Sequence, residues 1–214
     1  MSSNNDSEKP QKKSAFSRRG FLQGVGVTGG AVGAGILTPD AAEAQTAAAG
    51  VISGSTPITL TINGKPYKTT VEPRMTLLDV LRTNLDLTAA KRVCDRGTCG
   101  ACTVVVEGKA MYACTMLAID AQGKKIQTLE GLSNGTTRHP LIAAFVNNDA
   151  QQCGYCTPGF VMASKAFLDR NPSPTEQQVR EGLGGNLCRC GTYMGIRKAV
   201  VEASKKLKGG AARA

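Results

Sequence analysis

Cys94-Asp95-Arg96-Gly97-Thr98-Cys99-Gly100-Ala101-Cys102-Thr103 is the stretch on which the reading of this chain turns. Thiols set this close in a glycine-punctuated segment read as ligands. Gly97 and Gly100 free the backbone to fold tightly around a bound group and to aim N–H groups at its sulfur atoms. Cys114 completes a first set of four. Cys153, Cys156, Cys188 and Cys190 form a second, so the eight cysteines of the 214-residue chain divide evenly. A chain of this length suffices for one ordinary domain or two small ones, and the two sets favour two compact units, each with its own staple. Aromatics make up 4% of the residues and tryptophan is absent, so large side chains for either core are few and bound metal becomes a plausible structural support.

The first set, Cys94-x4-Cys99-x2-Cys102 with Cys114, has the spacing of a plant-type [2Fe-2S] loop, four thiolates for two irons. Structural zinc and a disulfide framework compete with that reading. Zinc sites usually pair two short Cys-x2-Cys-like knuckles, which this set lacks. On spacing alone zinc is a serious competitor for the second set, Cys153-x2-Cys156 and Cys188-x-Cys190. Thr157-Pro158 follows Cys156 and Gly191-Thr192 follows Cys190, so each pair stands where a helix begins. Two helix N-termini would converge on one dianionic centre, which supports a metal site without deciding the metal.

Outward from the ligands the periodicities divide the chain. Ile58, Leu60 and Ile62 alternate with threonines, Asn63-Gly64 meets the demand of a tight hairpin, and Tyr67, Thr69 and Val71 return. Thr76 is placed to cap a helix carrying Leu77, Leu78, Leu81 and Leu85, residues 91–102 read as a loop, and Thr103 to Glu107 and Ile126 to Leu129 as short strands. The period then lengthens to that of helices. Leu141, Ile142, Phe145 and Val146 stripe one helix, Phe160, Ala163 and Phe167 the next, and Ile196, Val200, Ala203 and Leu207 the last. Ser173-Pro174-Thr175-Glu176 reads as a capping box with proline at the first helical position of a fourth. The expected fold is α+β, a small mixed sheet holding one helix over residues 57–131 and four helices within residues 132–207, with a short tail at 208–214.

Residues 1–44 read as an address. Arg18-Arg19 precedes the apolar stretch Val25 to Leu37, and Ala42-Glu43-Ala44 offers small residues to signal peptidase, the plan of a twin-arginine signal, with a linker over 45–56. The apolar stretch is too short and too rich in glycine for a comfortable membrane span. A periplasmic destination, reached through the Tat translocase, follows. That route moves folded proteins, in keeping with metal centres assembled before export. The formal charge is +10, of which residues 1–44 contribute +1. Two dianionic loaded sites would bring the remaining +9 to about +5. No long basic run with interleaved aromatics remains, so nucleic acid is not an expected partner.

Taken together, the stretch 94–103, Gln152-Cys153-Gly154-Tyr155-Cys156-Thr157-Pro158-Gly159 and Gly185-Asn186-Leu187-Cys188-Arg189-Cys190 resemble the iron-sulfur subunit of the xanthine oxidase family of molybdenum hydroxylases. The likeness is strongest to periplasmic aldehyde oxidoreductase subunits. It implies a ferredoxin-like β-grasp domain holding an outer [2Fe-2S] cluster on Cys94, Cys99, Cys102 and Cys114. It implies a four-helix domain holding an inner cluster on Cys153, Cys156, Cys188 and Cys190. Substrate conversion then belongs to a molybdopterin-binding large subunit, this chain has no catalytic residue of its own, and electrons pass on to an FAD-binding subunit or a cytochrome. Gln152 and Cys190 correspond to positions at the molybdopterin contact. An amide that merely satisfies nearby backbone is the competing reading of Gln152. Arg189 offsets cluster charge, meets a neighbouring carboxylate or faces solvent, and the lone His139, with Pro140 behind it, reads as a helix cap or surface residue. Many members of the family continue Cys-Arg-Cys with Thr-Gly-Tyr, whereas here the order is Gly191-Thr192-Tyr193. An N-heteroaromatic hydroxylase of the isoquinoline type and a free-standing periplasmic ferredoxin are the alternative functions.

Overall fold

The structure, a computed structural model, describes residues 52–133, 135 and 137–209. Residues 1–44, expected as a twin-arginine signal, and most of the expected linker 45–56 lie outside the described residues. Strands β1 (Thr56–Ile62) and β2 (Lys65–Val71) form the expected antiparallel hairpin. Its two-residue turn holds Asn63 at φ 50° and Gly64 at φ 76°, both left-handed, as a type I′ turn requires. The Asn63 amide also spans to the far end of the domain, donating to Thr128 Oγ1 and accepting from the Thr128 N–H, each at 2.9 Å.

Thr76 caps the next helix, α1 (Leu77–Asp79), in a capping box in which the Asp79 carboxylate answers the Thr76 N–H at 3.1 Å. The helix then widens into a π-helical turn over Val80–Asn84 and ends there, with Leu85 beyond it. The wider turn suits a run in which Leu77, Leu78, Val80 and Leu81 are all fully buried, a broader apolar face than a narrow α-helical stripe provides.

Strand β3 (Thr103–Val106) turns through Glu107-Gly108 into β4 (Lys109–Tyr112), a strand the periodicity did not announce. Lys109, Ala110 and Met111 are exposed on the sheet edge, so no alternation marks them. With β5 (Lys125–Gln127) the sheet order is β2-β1-β5-β3-β4, with β1 and β5 parallel at its centre. Leu129, expected in this last strand, lies instead in a 3₁₀ turn over Leu129–Leu132. This mixed sheet closed over one helix is the β-grasp arrangement expected.

The helices are α2 (Pro140–Asn147), α3 (Thr157–Arg170), α4 (Glu176–Gly182) and α5 (Tyr193–Gly209). His139 caps α2, its Nδ1 accepting from the Leu141 N–H at 3.2 Å. The cap of α4 differs from expectation. Thr175, not Ser173, caps it and forms the reciprocal box with Gln178, because Pro174 is buried one residue before the cap, where it pairs in sequence with buried Val179 as a hydrophobic staple. Helix α5 also continues two residues into the segment expected as tail, since Leu207 still packs on the core and Lys206 and Lys208 suit the negative end of a helix.

All four residues of β3 are buried. Val104 and Val106 enter the core of the sheet domain, while Val105 meets Met162 and Ala166 of α3 on the other face. The sheet and the helices therefore share an apolar seam, and α3, with nine buried residues, lies along it.

Candidate iron-sulfur sites

The loop before β3 is folded around its cysteines. Asp95, Gly97 and Gly100 take left-handed conformations at φ 53°, 72° and 71°, which turn successive N–H groups inward. The Gly97 N–H donates to Cys114 Sγ at 3.3 Å and the Thr98 N–H to Cys94 Sγ at 3.4 Å. Thiol side chains pair within this set, Cys94 with Cys99 and Cys102 with Cys114. The Thr98 hydroxyl, with the backbone N–H groups of Arg96 and Thr98, brings the Cys94 thiol down to about 6. Burial pushes Cys102 up to about 12. The set thus has a buried half, Cys102 and Cys114, and an outer half, Cys94 and Cys99.

In the second set Cys156 is the N-cap of α3, with Pro158 at the second helical position, and α5 starts three residues after Cys190. Cys156 pairs with Cys188 and Cys153 with Cys190. Cys188 is buried, while Cys153 and Cys190 are exposed. Burial pushes Cys156 up to about 12. The same effect acts on Cys188, but the Thr192 hydroxyl and the N–H groups of Thr192 and Cys190 outweigh it and bring the thiol to about 7. Thr157 Oγ1, beside Cys156, is buried without a hydrogen-bond partner, a polar atom that a bound sulfur-rich group would satisfy.

Among the described residues no three His, Cys, Asp or Glu side chains close on one point as a single metal ion requires. Pairs of thiols suit a two-iron core, each iron taking two thiolates, better than one tetrahedral zinc. A cavity of about 420 Å³ is lined by Cys99 from the first set and by Cys153, Cys156 and Cys188 from the second. The two ligand loops are also joined directly. The Leu187 N–H donates to the Cys99 carbonyl, and the buried Asn186 amide donates to the Gly100 carbonyl, both at 2.9 Å.

Residues 60–129 match the family of 2Fe-2S iron-sulfur cluster binding domains and residues 128–201 that of [2Fe-2S] binding domains. The chain is 42% identical to the iron-sulfur-binding subunit of aldehyde oxidoreductase from Escherichia coli K12, over 71% of this chain and 73% of that one. It is 43% identical to the small FeS subunit of nicotinate dehydrogenase from Eubacterium barkeri, over 67% of this chain and 91% of the other. The crystal structure of quinoline 2-oxidoreductase from Pseudomonas putida 86 superposes with a TM-score of 0.71 at 41% identity, covering 74% of this chain and 99% of the matched chain.

The chain belongs to the iron-sulfur subunits of the molybdenum hydroxylases.

In this iron-sulfur subunit both cysteine sets fall within [2Fe-2S]-binding matches, and zinc, left open for the second set on spacing alone, gives way to iron. Gln152 is exposed beside Cys153, and Arg189 is exposed beside Cys190 at the rim of the shared cavity. Sequence reasoning missed the hydroxyls of Thr98 and Thr192. A signal for them was present, because each threonine stands four residues after a cysteine of its set. It also missed the bonds that tie the domains through segment 185–187, of which the Leu187–Cys99 bond uses backbone alone and two others use side chains. One is from Asn186, and the other runs from the Tyr112 hydroxyl to the Gly185 carbonyl at 2.7 Å.

Proposed function

We propose that this chain is the electron relay of an exported molybdenum hydroxylase, taking electrons from the molybdopterin of a large subunit and passing them to an FAD-binding subunit or a cytochrome. Each [2Fe-2S] core, when bound, takes up and releases one electron at a time. Cys153, Cys156, Cys188 and Cys190 hold the inner cluster, and Cys94, Cys99, Cys102 and Cys114 the outer one. The observation that carries this reading is the bond from the Leu187 N–H to the Cys99 carbonyl, which sets a neighbour of one ligand against a ligand of the other set. The polypeptide thereby offers a short, rigid connection between the sites.

The exposed pair Cys153 and Cys190 marks the side that meets the large subunit, with Gln152 beside it at the pterin. Val93, Tyr155 and Leu187, each more than half exposed, rim the same cavity. Apolar side chains left open around a set of ligands of which two are themselves exposed suit a surface that another protein chain covers. Aldehydes are the proposed substrate class of the complex, following the aldehyde oxidoreductase relative, and N-heteroaromatic compounds are the second reading, favoured by the comparable likeness to the nicotinate dehydrogenase relative.

The test is an anaerobic single turnover of the whole complex after an iron count of four per chain. Cys102→Ser is expected to let substrate reduce the inner cluster while steady turnover to the acceptor collapses. Cys190→Ser is expected to leave the outer cluster oxidised. Normal reduction of the outer cluster in an intact Cys190→Ser complex would reverse the proposed order.

A further inference from the structure

Cys188 is the buried thiol of the second set, 7% exposed, and its sulfur lies 3.3 Å from Thr192 Oγ1. The hydroxyl has a second neighbour, the Ala150 carbonyl, also at 3.3 Å. The local backbone places it there. Gly191 stands at φ 79°, a left-handed conformation that a β-branched side chain adopts only under strain, and the Gly191 N–H returns to the Cys188 carbonyl at 3.3 Å. The chain thus turns tightly through glycine, and the next residue faces back on Cys188 at the entrance to α5. The order Gly191-Thr192, rather than the reverse, puts the hydroxyl on the ligand and glycine at the strained position. Tyr193 locks the same turn, its hydroxyl accepting the Cys188 N–H at 2.8 Å while its ring meets Phe160 edge-on at 6.1 Å.

A metal-bound thiolate carries no proton, so in the loaded protein the only hydrogen between these two atoms is that of Thr192. Hydrogen bonds to an ionised acceptor are stronger than those to a neutral one, so the hydroxyl favours Cys188 Sγ over the neutral Ala150 carbonyl. Adding one electron to the cluster raises the negative charge on its thiolates, and a donor to sulfur then stabilises the reduced form more than the oxidised form.

We propose that Thr192 is a positioning residue that sets the reduction potential of the inner site, its hydroxyl donating to Cys188 Sγ and raising that potential. The inference deepens the relay reading and rests on it. The hydroxyl favours the uptake of an electron from the molybdenum side, and its loss makes the inner cluster harder to reduce. The electron removed from the inner site is then found on the outer one.

The experiment is an EPR-monitored redox titration of the whole complex carrying Thr192→Val, which keeps the shape and deletes the hydroxyl, beside Thr192→Ser, which keeps the hydroxyl. Thr192→Val is expected to lower the reduction equilibrium of one of the two signals about tenfold, a shift of ~59 mV for a one-electron couple, and to leave the other in place. Thr192→Ser is expected to restore the original value. Should Thr192→Val fail to retain its iron, Thr192→Ala, smaller at the same position, is titrated instead and carries the same outcomes. Unchanged potentials in a fully loaded Val or Ala variant overturn the proposal. So does a Ser variant shifted as far as Val, because packing and not the hydroxyl would then be responsible. A wild-type complex lacking a second [2Fe-2S] signal would instead overturn the relay reading itself.

Discussion

The backbone N–H of Leu187 lies 2.9 Å from the carbonyl oxygen of Cys99, across a separation of 88 residues in the chain. Around this bond the two ligand loops leave no spare room. A Cβ added to Gly100 would stand 2.6 Å from the Asn186 amide and 2.8 Å from the Gly185 carbonyl, and one added to Gly159 would stand 2.3 Å from the Gly100 carbonyl.

Gly159→Ala is therefore expected to push α3 off the first cysteine loop. Overpacking of this kind typically costs about 1–3 kcal/mol. The variant should unfold at lower temperature and load less iron in the second set, as read by calorimetry and iron analysis. An unaltered melting temperature with full iron would show that the helix does not need its close approach.

Tyr112→Phe removes the hydroxyl that donates to the Gly185 carbonyl at 2.7 Å. A hydrogen bond of this class contributes about 0.5–1.5 kcal/mol. Stability in urea should fall by that amount, and the amide of Leu187 should exchange faster with solvent, because the segment it belongs to has lost one of its ties. Exchange at wild-type rate would assign the tie to Asn186 and to the Leu187–Cys99 bond itself.

Glu202 on α5 is held down at about 2 by Lys206, 2.6 Å away, and by the side-chain amides of Asn148 and Asn147 at the end of α2. Its folded-state value is depressed, so the contribution to stability is fully present above the ordinary value of 4.5 and is lost as pH falls from there toward about 2. Glu202→Gln should be less stable than the parent at pH 6, and the gap should close on acidification across that window. A gap that stayed constant with pH would mean that the charge of Glu202 is immaterial.

Replacing Arg18 and Arg19 together with lysine is expected to hold the protein in the cytoplasm with its clusters assembled. If the parent is exported as proposed, N-terminal sequencing of its periplasmic form should find Gln45 first, following cleavage after Ala42-Glu43-Ala44. Undiminished periplasmic recovery of the double variant would exclude the twin-arginine route.

Features whose physics is local were legible in the chain before any fold was known. Cysteine spacing divided the ligands into two sets, Asn63-Gly64 specified the β1–β2 turn, Thr76 its helix cap, and the stripe through Ile196, Val200 and Ala203 the buried face of α5. Each of these rests on residue type at short range, where steric and capping preferences act. The remaining features depend on contacts between segments distant in the chain. Strand β4 exists because β3 offers a paired edge, not because Lys109–Tyr112 alternates, and the π-helical turn after Asp79 follows from the breadth of the core it must cover. The cap at Thr175 moved two residues from the expected place because burying Pro174 outweighed an equally plausible local box. The bond between Leu187 and Cys99 uses only backbone atoms, which every residue but proline can offer, so no residue type could announce it. The junction between the two sites became legible only once β3 and α3 had buried Val105 against Met162 and brought the loops together.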